Sequence, residues 1–325
     1  MMNNPSEQSP SQTHLDEQLP PAVQPQTDSS SLNILGLGTF LSMPIPPRDY
    51  ILIPVFPSQG ICILYAPRGL GKTFLALTIA LAVAFGGSVL SWRAPQPQKV
   101  LYMDGEMPAT TIRERLAALV SGMAAPPLVL DNLKIITPDL QPCPMPDLST
   151  SAGQNLLEPH LEGIDLLILD NIATLCRTGK ENEAQSWQAM QAWLLDLRRR
   201  GLTVLLIHHA GKSGDQRGTS AREDIMDTVI SLRRPKQYNM AQGARFEVHL
   251  TKARNLAGEE AEPFEAHLES EGDALQWTVS KLEDVRLGEI QKLLAEGCSI
   301  RDIAEELEIP KSTVGRLKKK LEGGL

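Results

Sequence analysis

Short apolar runs alternate with longer segments of helical periodicity through most of the chain. Runs of this length are typical of parallel strands that are buried on both faces. They occur at 61–65, 99–103, 166–170, 203–207 and 227–232. Between them, segments such as 109–123 and 183–200 repeat apolar residues at helical spacing. The alternation predicts a mostly parallel α/β sheet with helices on both faces.

The helix predicted at 183–200 carries one apolar stripe along its length. Its members lie three or four residues apart and are Trp187, Met190, Trp193, Leu194 and Leu197. A stripe with this spacing is typical of a helix face that packs against a core. The apolar segment 74–85 is about a dozen residues long, which is too short to span a bilayer. It is therefore interpreted as a buried helix.

Three other parts of the chain show different patterns. Segments 245–253 and 265–280 alternate at period two, which predicts antiparallel strands at one edge of the sheet. After residue 284 only helical patterns follow. The first residues are rich in Ser, Gln, Pro and Asn, which is typical of disorder. We therefore predict a disordered tail at 1–45, an α/β domain at 46–283 and an all-α domain at 284–325.

Composition excludes several classes of protein. The formal net charge is −8 over 325 residues, which argues against a protein that coats nucleic acid with its whole surface, although a local basic surface is compatible with it. The four cysteines lie far apart without zinc-ligand spacing, which predicts buried thiols in a reducing compartment. The polar, acidic N-terminus does not resemble a signal peptide. We expect a soluble cytoplasmic protein that does not enter membranes.

The motif APRGLGKT at 66–73 follows one predicted strand and precedes a helix. A glycine-bearing loop in this position lets backbone N–H groups and a helix N-terminus bind phosphate. Lys72 would neutralise the β- and γ-phosphates, and Thr73 would hold Mg²⁺. The motif ordinarily begins with glycine, and Ala66 stands there instead. We predict an ATP site formed by Pro67, Arg68, Gly69, Leu70, Gly71, Lys72, Thr73 and Phe74.

A second motif, LLILDN at 166–171, ends in an acid and an amide. Asp170 is suited to hold Mg²⁺ at the end of a strand. In many ATPases the next residue is a glutamate that activates water, but Asn171 is a poor proton acceptor. The base should then come from a neighbouring strand end. The segment KVLYMDGEMP at 99–108 offers Glu106, with Asp104 as the alternative.

Together, DGEMP, LLILDN and LLIHHAGKS resemble the RecA/DnaB-type ATPases, and especially the plasmid-encoded RepA hexameric replicative helicases. The resemblance covers roughly residues 50–270. It implies a RecA-like fold that uses ATP and Mg²⁺, a homo-oligomer that closes as a hexameric ring, and single-stranded or forked DNA as the partner. It also implies that the catalytic glutamate is Glu106, on the strand after the phosphate-loop helix.

The same resemblance assigns further residues of the ATP site. His209, at the end of the strand 203–207, would sense the γ-phosphate, with His208 as the alternative. Lys252 and Arg254 match a Lys-x-Arg pair that reaches the ATP of the neighbouring subunit, with a solvated basic strand as the alternative. Arg115 would stack on adenine, with an ordinary exposed helix residue as the alternative.

Two segments are candidates for DNA-binding loops. One follows Asp170 and contains Lys180, and the other, at 211–224, contains Lys212, Arg217 and Arg222. Basic loops rich in glycine can follow a phosphate backbone without reading its sequence. Neither loop carries an aromatic residue for base stacking, and each also fits an ordinary surface loop.

The C-terminal segment resembles a helix-turn-helix. Helices are predicted at 287–295, 300–307 and 311–321, with Ser299 capping the second helix. The third helix concentrates basic residues in an otherwise acidic protein, which favours contact with DNA phosphates. The candidate DNA-binding residues are Lys311, Arg316, Lys318 and Lys319. The alternative is a protein-docking module with a solvated basic face.

The function expected from all of these features is a DNA-stimulated, Mg²⁺-dependent ATPase, and in particular a ring-forming replicative helicase of a mobile element. Replication or recombination proteins are expected as additional partners. Two alternatives stay open on the sequence: an ATP-dependent recombination or repair mediator, and an ATP-gated DNA-binding regulator. Neither alternative unwinds DNA processively.

Overall fold

The computed structural model describes residues 32–123, 130–177, 184–210, 223–254, 256 and 258–323. The chain divides into two units, Met1–Pro47 and Arg48–Leu325. In the first unit the described residues, 32–47, contain one short helix, α1 (Leu37–Ser42), whose residues are all exposed. The rest of the predicted tail, residues 1–31, lies outside the described residues.

The second unit contains the elements that position the candidate site. Its strands are β1 (Tyr50–Leu52), β2 (Phe56–Pro57), β3 (Ile61–Ala66), β4 (Ser88–Val89), β5 (Trp92–Arg93), β6 (Val100–Asp104), β7 (Leu133–Ile136), β8 (Leu166–Asp170), β9 (Thr203–His209), β10 (Thr228–Arg233), β11 (Arg245–Ala253), β12 (Phe264–Glu271) and β13 (Ala274–Lys281). Its helices are α2 (Lys72–Phe85), α3 (Ala109–Ser121), α4 (Ser151–Leu157), α5 (Ile172–Leu175), α6 (Ala184–Arg199), α7 (Leu282–Ala295), α8 (Ile300–Glu306) and α9 (Lys311–Glu322).

One large sheet forms the centre of this unit, with the strand order β13-β12-β11-β10-β3-β9-β8-β6-β7. The strands from β10 to β7 in this order run parallel to one another. Strands β11, β12 and β13 pair antiparallel at one edge. The predicted fold class, a mostly parallel sheet with antiparallel strands at one edge, is therefore confirmed.

The buried strands formed where apolar runs predicted them, because both faces of the sheet are covered. Helix α2 contributes to the core on one face, and helix α6 to the core on the other. All five residues of the predicted α6 stripe are buried in the second core. Strand β7 was not predicted. It lies at the sheet edge, where its two middle residues, Lys134 and Ile135, are exposed and break the apolar run.

The three C-terminal helices share a small core of their own, formed by residues such as Ile290, Ile303, Val314 and Leu317. Ser299 caps α8 through a reciprocal capping box with Asp302, as its position predicted. Helix α7 begins earlier than the predicted residue 287. It follows directly on β13, so the predicted boundary at 284 lies inside this helix.

Two further expectations concern membranes and cysteines. Among the described residues, no helix is long and apolar enough to cross a bilayer. All four cysteines are free thiols, and Cys62 is buried as expected. The expectation of buried thiols is wrong for Cys143, which is exposed in a proline-rich loop segment between Gln141 and Pro146.

Candidate active site

The carboxyl ends of adjacent parallel strands bring the predicted ATP-site residues into one row. Across the sheet, β3 leads into the phosphate loop, β9 ends in His209, β8 ends in Asp170, and β6 ends in Asp104. Parallel strands bring these carboxyl ends to the same end of the sheet, where open α/β sheets bind ligands. Residues from four distant parts of the sequence therefore lie side by side.

The phosphate loop depends on two glycines in left-handed conformations. Gly69 has φ of +73° and Gly71 has φ of +100°, values that favour glycine. At Gly71 a Cβ atom would lie 2.6 Å from Cβ of Ala244, so the loop packs directly against the residue before β11. Gly71 is also the N-cap of α2 and provides no side-chain cap. The first N–H groups of α2 therefore remain available to an anion.

Lys72 lies inside the loop rather than in solvent, with only 6% of its surface exposed. Its Nζ donates hydrogen bonds to the carbonyl oxygens of Ala66 at 3.0 Å and Pro67 at 2.9 Å. Burial lowers the pKa of Lys72 to about 8, against the opposing influence of Asp170 and Glu106. The ammonium therefore stays protonated at neutral pH, and its third N–H can be given to a phosphate.

Asp170 is a buried carboxylate, only 4% exposed, next to the start of α2. Burial raises its pKa, while hydrogen bonds from Tyr102 and Thr73 and the charge of Lys72 oppose that effect. The Tyr102 hydroxyl donates to Oδ2 of Asp170 at 2.7 Å. A hydroxyl and a carboxylate side by side are oxygen donors of the kind Mg²⁺ takes when waters and phosphates complete its shell. Thr73 and Asp170 therefore fit the predicted ion.

The two candidate bases on the β6 side have different environments. Oδ1 of Asp104 accepts the N–H groups of Glu106 at 2.7 Å and Met107 at 2.6 Å, so Asp104 caps the turn after β6. Burial, reinforced by Asp170, raises the pKa of Asp104 to about 6. The Glu106 side chain is 58% exposed and extends from this turn toward the row of strand ends. Of these two carboxylates, the Asp104 carboxylate is bonded to backbone N–H groups of the turn, whereas the Glu106 carboxylate is not.

The two histidines of β9 point in opposite directions, as successive strand residues must. His208 is fully buried, whereas His209 is 12% exposed and its Nε2 lies 3.9 Å from Oε2 of Glu106. Burial, followed by the charges of Lys72 and Arg68, lowers the pKa of His209 to about 4. A neutral imidazole therefore lies beside Glu106 and close to the charges of Lys72 and Arg68.

Asn171, which sequence reasoning set aside as a poor base, contacts the candidate base directly. Its Nδ2 donates a hydrogen bond to Oε2 of Glu106 at 2.7 Å. Tyr102 was also missed as a partner of Asp170. The signal available in the sequence was a polar residue at a strand end or within an apolar strand.

Arg115, predicted to stack on adenine, lies over a ring that belongs to the chain itself. Its guanidinium carbon is 4.4 Å from the centre of the Phe74 ring, which follows Thr73. Its Nη1 also contacts the Met107 sulfur at 3.3 Å. The structure thus places Arg115 beside the phosphate-loop helix, with Phe74 fixing one face of the guanidinium.

Lys252 and Arg254 lie at the end of the strands opposite the phosphate loop. Ala253, the residue between them, pairs with Thr228 at the start of β10, which in turn pairs with Cys62 near the start of β3. Arg254 donates to the carbonyl of Asp224 at 2.9 Å, and Lys252 donates to the carbonyl of Glu223. The structure therefore does not join these two cations to the ATP site of the same chain.

The predicted DNA-binding residues divide between two regions. Lys180, Lys212, Arg217 and Arg222 lie outside the described residues. On α9, Lys311 and Lys319 are exposed, Arg316 pairs with Glu283 at 3.4 Å, and Lys318 pairs with Glu322 at 3.6 Å. Three of these four side chains project from exposed positions, and Lys318 is half-buried.

The sheet order and the phosphate loop define a RecA-like P-loop ATPase fold. The family model described as an AAA domain matches residues 30–215, and the chain belongs to this family. Among solved structures, the flagellar accessory protein FlaH from Methanocaldococcus jannaschii is 12% identical, with a TM-score of 0.50 over 73% of this chain and 98% of that one. A KaiC-like protein from Pyrococcus horikoshii OT3 is 16% identical, with a TM-score of 0.47 over 72% and 96%. The likeness to FlaH supports the fold.

Proposed function

We propose that this ATPase is Mg²⁺-dependent and DNA-stimulated, and that it works as a ring-forming replicative helicase of the RepA type from a mobile element. The observation that carries the proposal is the row formed by Lys72, His209, Asp170 and Glu106 at one end of the strands, with Lys252 and Arg254 at the opposite end. The first set suits hydrolysis within one subunit. The second set is too distant to serve the same site.

Each residue of the row has a distinct task in hydrolysis. Lys72 gives its remaining N–H and its charge to the β- and γ-phosphates. Glu106 accepts the proton of the attacking water, because its carboxylate is clear of the turn that occupies Asp104. His209, neutral because of its lowered pKa, donates or accepts a hydrogen bond at the departing phosphate without adding charge. Mg²⁺ held by Thr73 and Asp170 would neutralise phosphate charge.

The proposal of a ring rests on the position of Lys252 and Arg254. Lys252 lies near the C-terminal end of β11 and Arg254 directly follows it, at the end of the strands away from the phosphate loop. Subunits packed head to tail would bring this end of one subunit's sheet against the ATP site of the next subunit. Repetition of that contact closes a ring when the rotation allows it. A cation supplied by a neighbour then stabilises transition-state charge.

The proposal of a DNA partner rests on the resemblance and on α9. Lys311, Arg316 and Lys319 are exposed on one short helix of an acidic protein. A helix of this kind, presented by a three-helix module, also favours a second candidate function. That candidate is an ATP-gated regulator in which the C-terminal module binds duplex DNA and the ATPase controls its engagement.

The experiment that tests the proposal combines two assays on the full chain. ATP hydrolysis is measured with and without single-stranded DNA, and strand separation is measured on a forked duplex. A helicase accelerates hydrolysis on DNA and separates the strands, and Lys72→Ala abolishes both activities. Stimulated hydrolysis without strand separation would favour the recombination or repair mediator. ATP-dependent duplex binding without stimulation would favour the regulator. Hydrolysis that survives Lys72→Ala would overturn the site assignment.

A further inference from the structure

The first residue after β8 makes an unexpected contact with the candidate base. Asn171 is only 2% exposed, and its Nδ2 lies 2.7 Å from Oε2 of Glu106. An amide cannot take a proton from water, so Asn171 is not itself a base. Its amide nitrogen is a hydrogen-bond donor, however, and the Glu106 carboxylate, just after the neighbouring strand β6, accepts from it.

A local structural role does not account for this side chain. Asparagine just before a helix commonly caps it, and Asn171 stands directly before α5. Here the side chain makes no capping hydrogen bond. The backbone begins the helix instead, because the carbonyl of Asn171 accepts from the Thr174 hydroxyl at 3.0 Å and from the N–H of Leu175 at 3.1 Å. The amide is thereby left for Glu106.

The orientation of the amide follows from its partner. If oxygen and nitrogen were exchanged, two acceptors would face each other across the contact, so the nitrogen must point to Glu106. Oδ1 of Asn171 is then buried without a hydrogen-bond partner among the described residues. The hydrogen bond to Glu106 is therefore the contact that the Asn171 amide makes among the described residues.

We infer that Asn171 is a positioning residue that holds Glu106 in the orientation for activating water. This role rests on the proposed function, in which Glu106 is the base. The Glu106 side chain is largely exposed and has several rotatable bonds, so without a restraint its carboxylate would sample many directions. The hydrogen bond from the Asn171 amide holds Oε2 of Glu106, 3.9 Å from Nε2 of His209, and leaves Oε1 as the oxygen that meets water. Fixed geometry of this kind raises the rate of proton transfer.

Asn171→Leu tests the role, because leucine is similar in size and cannot donate. A hydrogen bond from a neutral group to a carboxylate is strong enough that its loss should lower kcat by about 10- to 100-fold. Affinity for a fluorescent ATP analogue should not change, since the amide contacts Glu106 rather than the phosphate loop. Asn171→Ala, which also removes the donor and adds no bulk, gives a second test with the same expected loss of kcat if the leucine variant folds poorly. Thr174→Val, which removes the hydrogen bond to the Asn171 carbonyl but leaves the Asn171 amide in place, is the matched control and should keep normal kcat.

A double-mutant cycle separates positioning from general support of the fold. Glu106→Gln alone lowers kcat, and adding Asn171→Leu to it should lower kcat no further, because the group being positioned is already gone. A double variant that loses activity by the product of the two single effects would overturn the inference. A normal kcat in Asn171→Leu, with Glu106→Gln inactive, would also overturn it while leaving the proposed function intact. Normal activity of Glu106→Gln would overturn the proposed function itself, and the role of Asn171 with it.

Discussion

Arg254 offers a decisive test of whether the ATP sites are shared between subunits. Its neighbour Ala253 is in register with Thr228, which pairs with Cys62 on β3. From Cys62 to Ala66, where the phosphate loop begins, there are four residue steps along β3, or about 13 Å at the rise of a strand. Two interstrand spacings add about 10 Å sideways. An arginine side chain cannot bridge that span, so Arg254 cannot reach the phosphates bound by its own chain.

Arg254→Ala should therefore keep ATP binding and lose hydrolysis in the homogeneous variant. Mixing it with Lys72→Ala restores activity at some interfaces. In an equal mixture, a working ATP site meets a working neighbouring arginine at one interface in four on average, so the activity expected is roughly a quarter of the wild-type value. This fraction follows from random assembly into a head-to-tail ring in which each interface hydrolyses ATP independently. Either variant alone should be close to inactive.

The assay is steady-state ATP hydrolysis at several total concentrations and mixing ratios, with the oligomeric state measured in the same buffer. Arg93→Ala, which removes an exposed arginine from the short strand β5, is the matched control and should be active alone. Restored activity should rise with concentration and peak near equal mixing. Absence of any restoration while oligomers are present would refute the contribution in trans, because an arginine acting within its own chain gives none at any ratio.

Three further tests concern single residues. Glu106→Gln should keep ATP binding and lower kcat by about 10²- to 10⁴-fold. Asp104→Asn should chiefly lower the melting temperature. A large loss of kcat in Asp104→Asn with normal kcat in Glu106→Gln would instead assign the base to Asp104. The pKa of His209, about 4 in the folded protein, lies below its usual unfolded value of about 6.5, so the unfolded state binds more protons between these values. The free energy of unfolding of the wild type should therefore fall as pH drops from 6.5 to 4, and that of His209→Gln should fall less over the same range. Identical urea-unfolding curves of the wild type at the two pH values would contradict this. Lys319→Ala should reduce the slope of log affinity for DNA against log salt by about 1, while Arg301→Ala, on the preceding helix, should leave the slope unchanged if α9 alone meets phosphate.

The fold was predictable to the extent that burial imposes a pattern on the sequence. Strands covered on both faces must be apolar throughout, which is why β3 and β8 were found at their observed positions. Strand β7 lies at an edge, where no such pattern is required. The order of the strands was not predictable, because the insertion of β9 between β3 and β8 depends on pairings between distant segments.

The site was predictable where one residue type serves one local task. Lys72 and Asp170 follow from motifs, and the choice of His209 over His208 depends on which face of β9 meets the loop. Tyr102 and Asn171 could not be assigned, because their partners lie on a neighbouring strand. Tyr102 pairs with Ile168 in the register of β6 and β8, and its hydroxyl then reaches Asp170 two residues further. Such contacts require the register, which the sequence does not state.

The tight packing of Gly71 against Ala244 has a mechanical consequence. Strand β11 starts at the next residue and runs for nine residues, about 30 Å, before it ends beside Arg254. It is held along much of this length by hydrogen bonds to β10 and, over its first half, to β12. Any shift of the phosphate loop on nucleotide binding would therefore be transmitted along β11 to the end that carries Lys252 and Arg254. In the proposed head-to-tail assembly, nucleotide binding in one subunit would thereby move the two cations that face the ATP site of the next subunit.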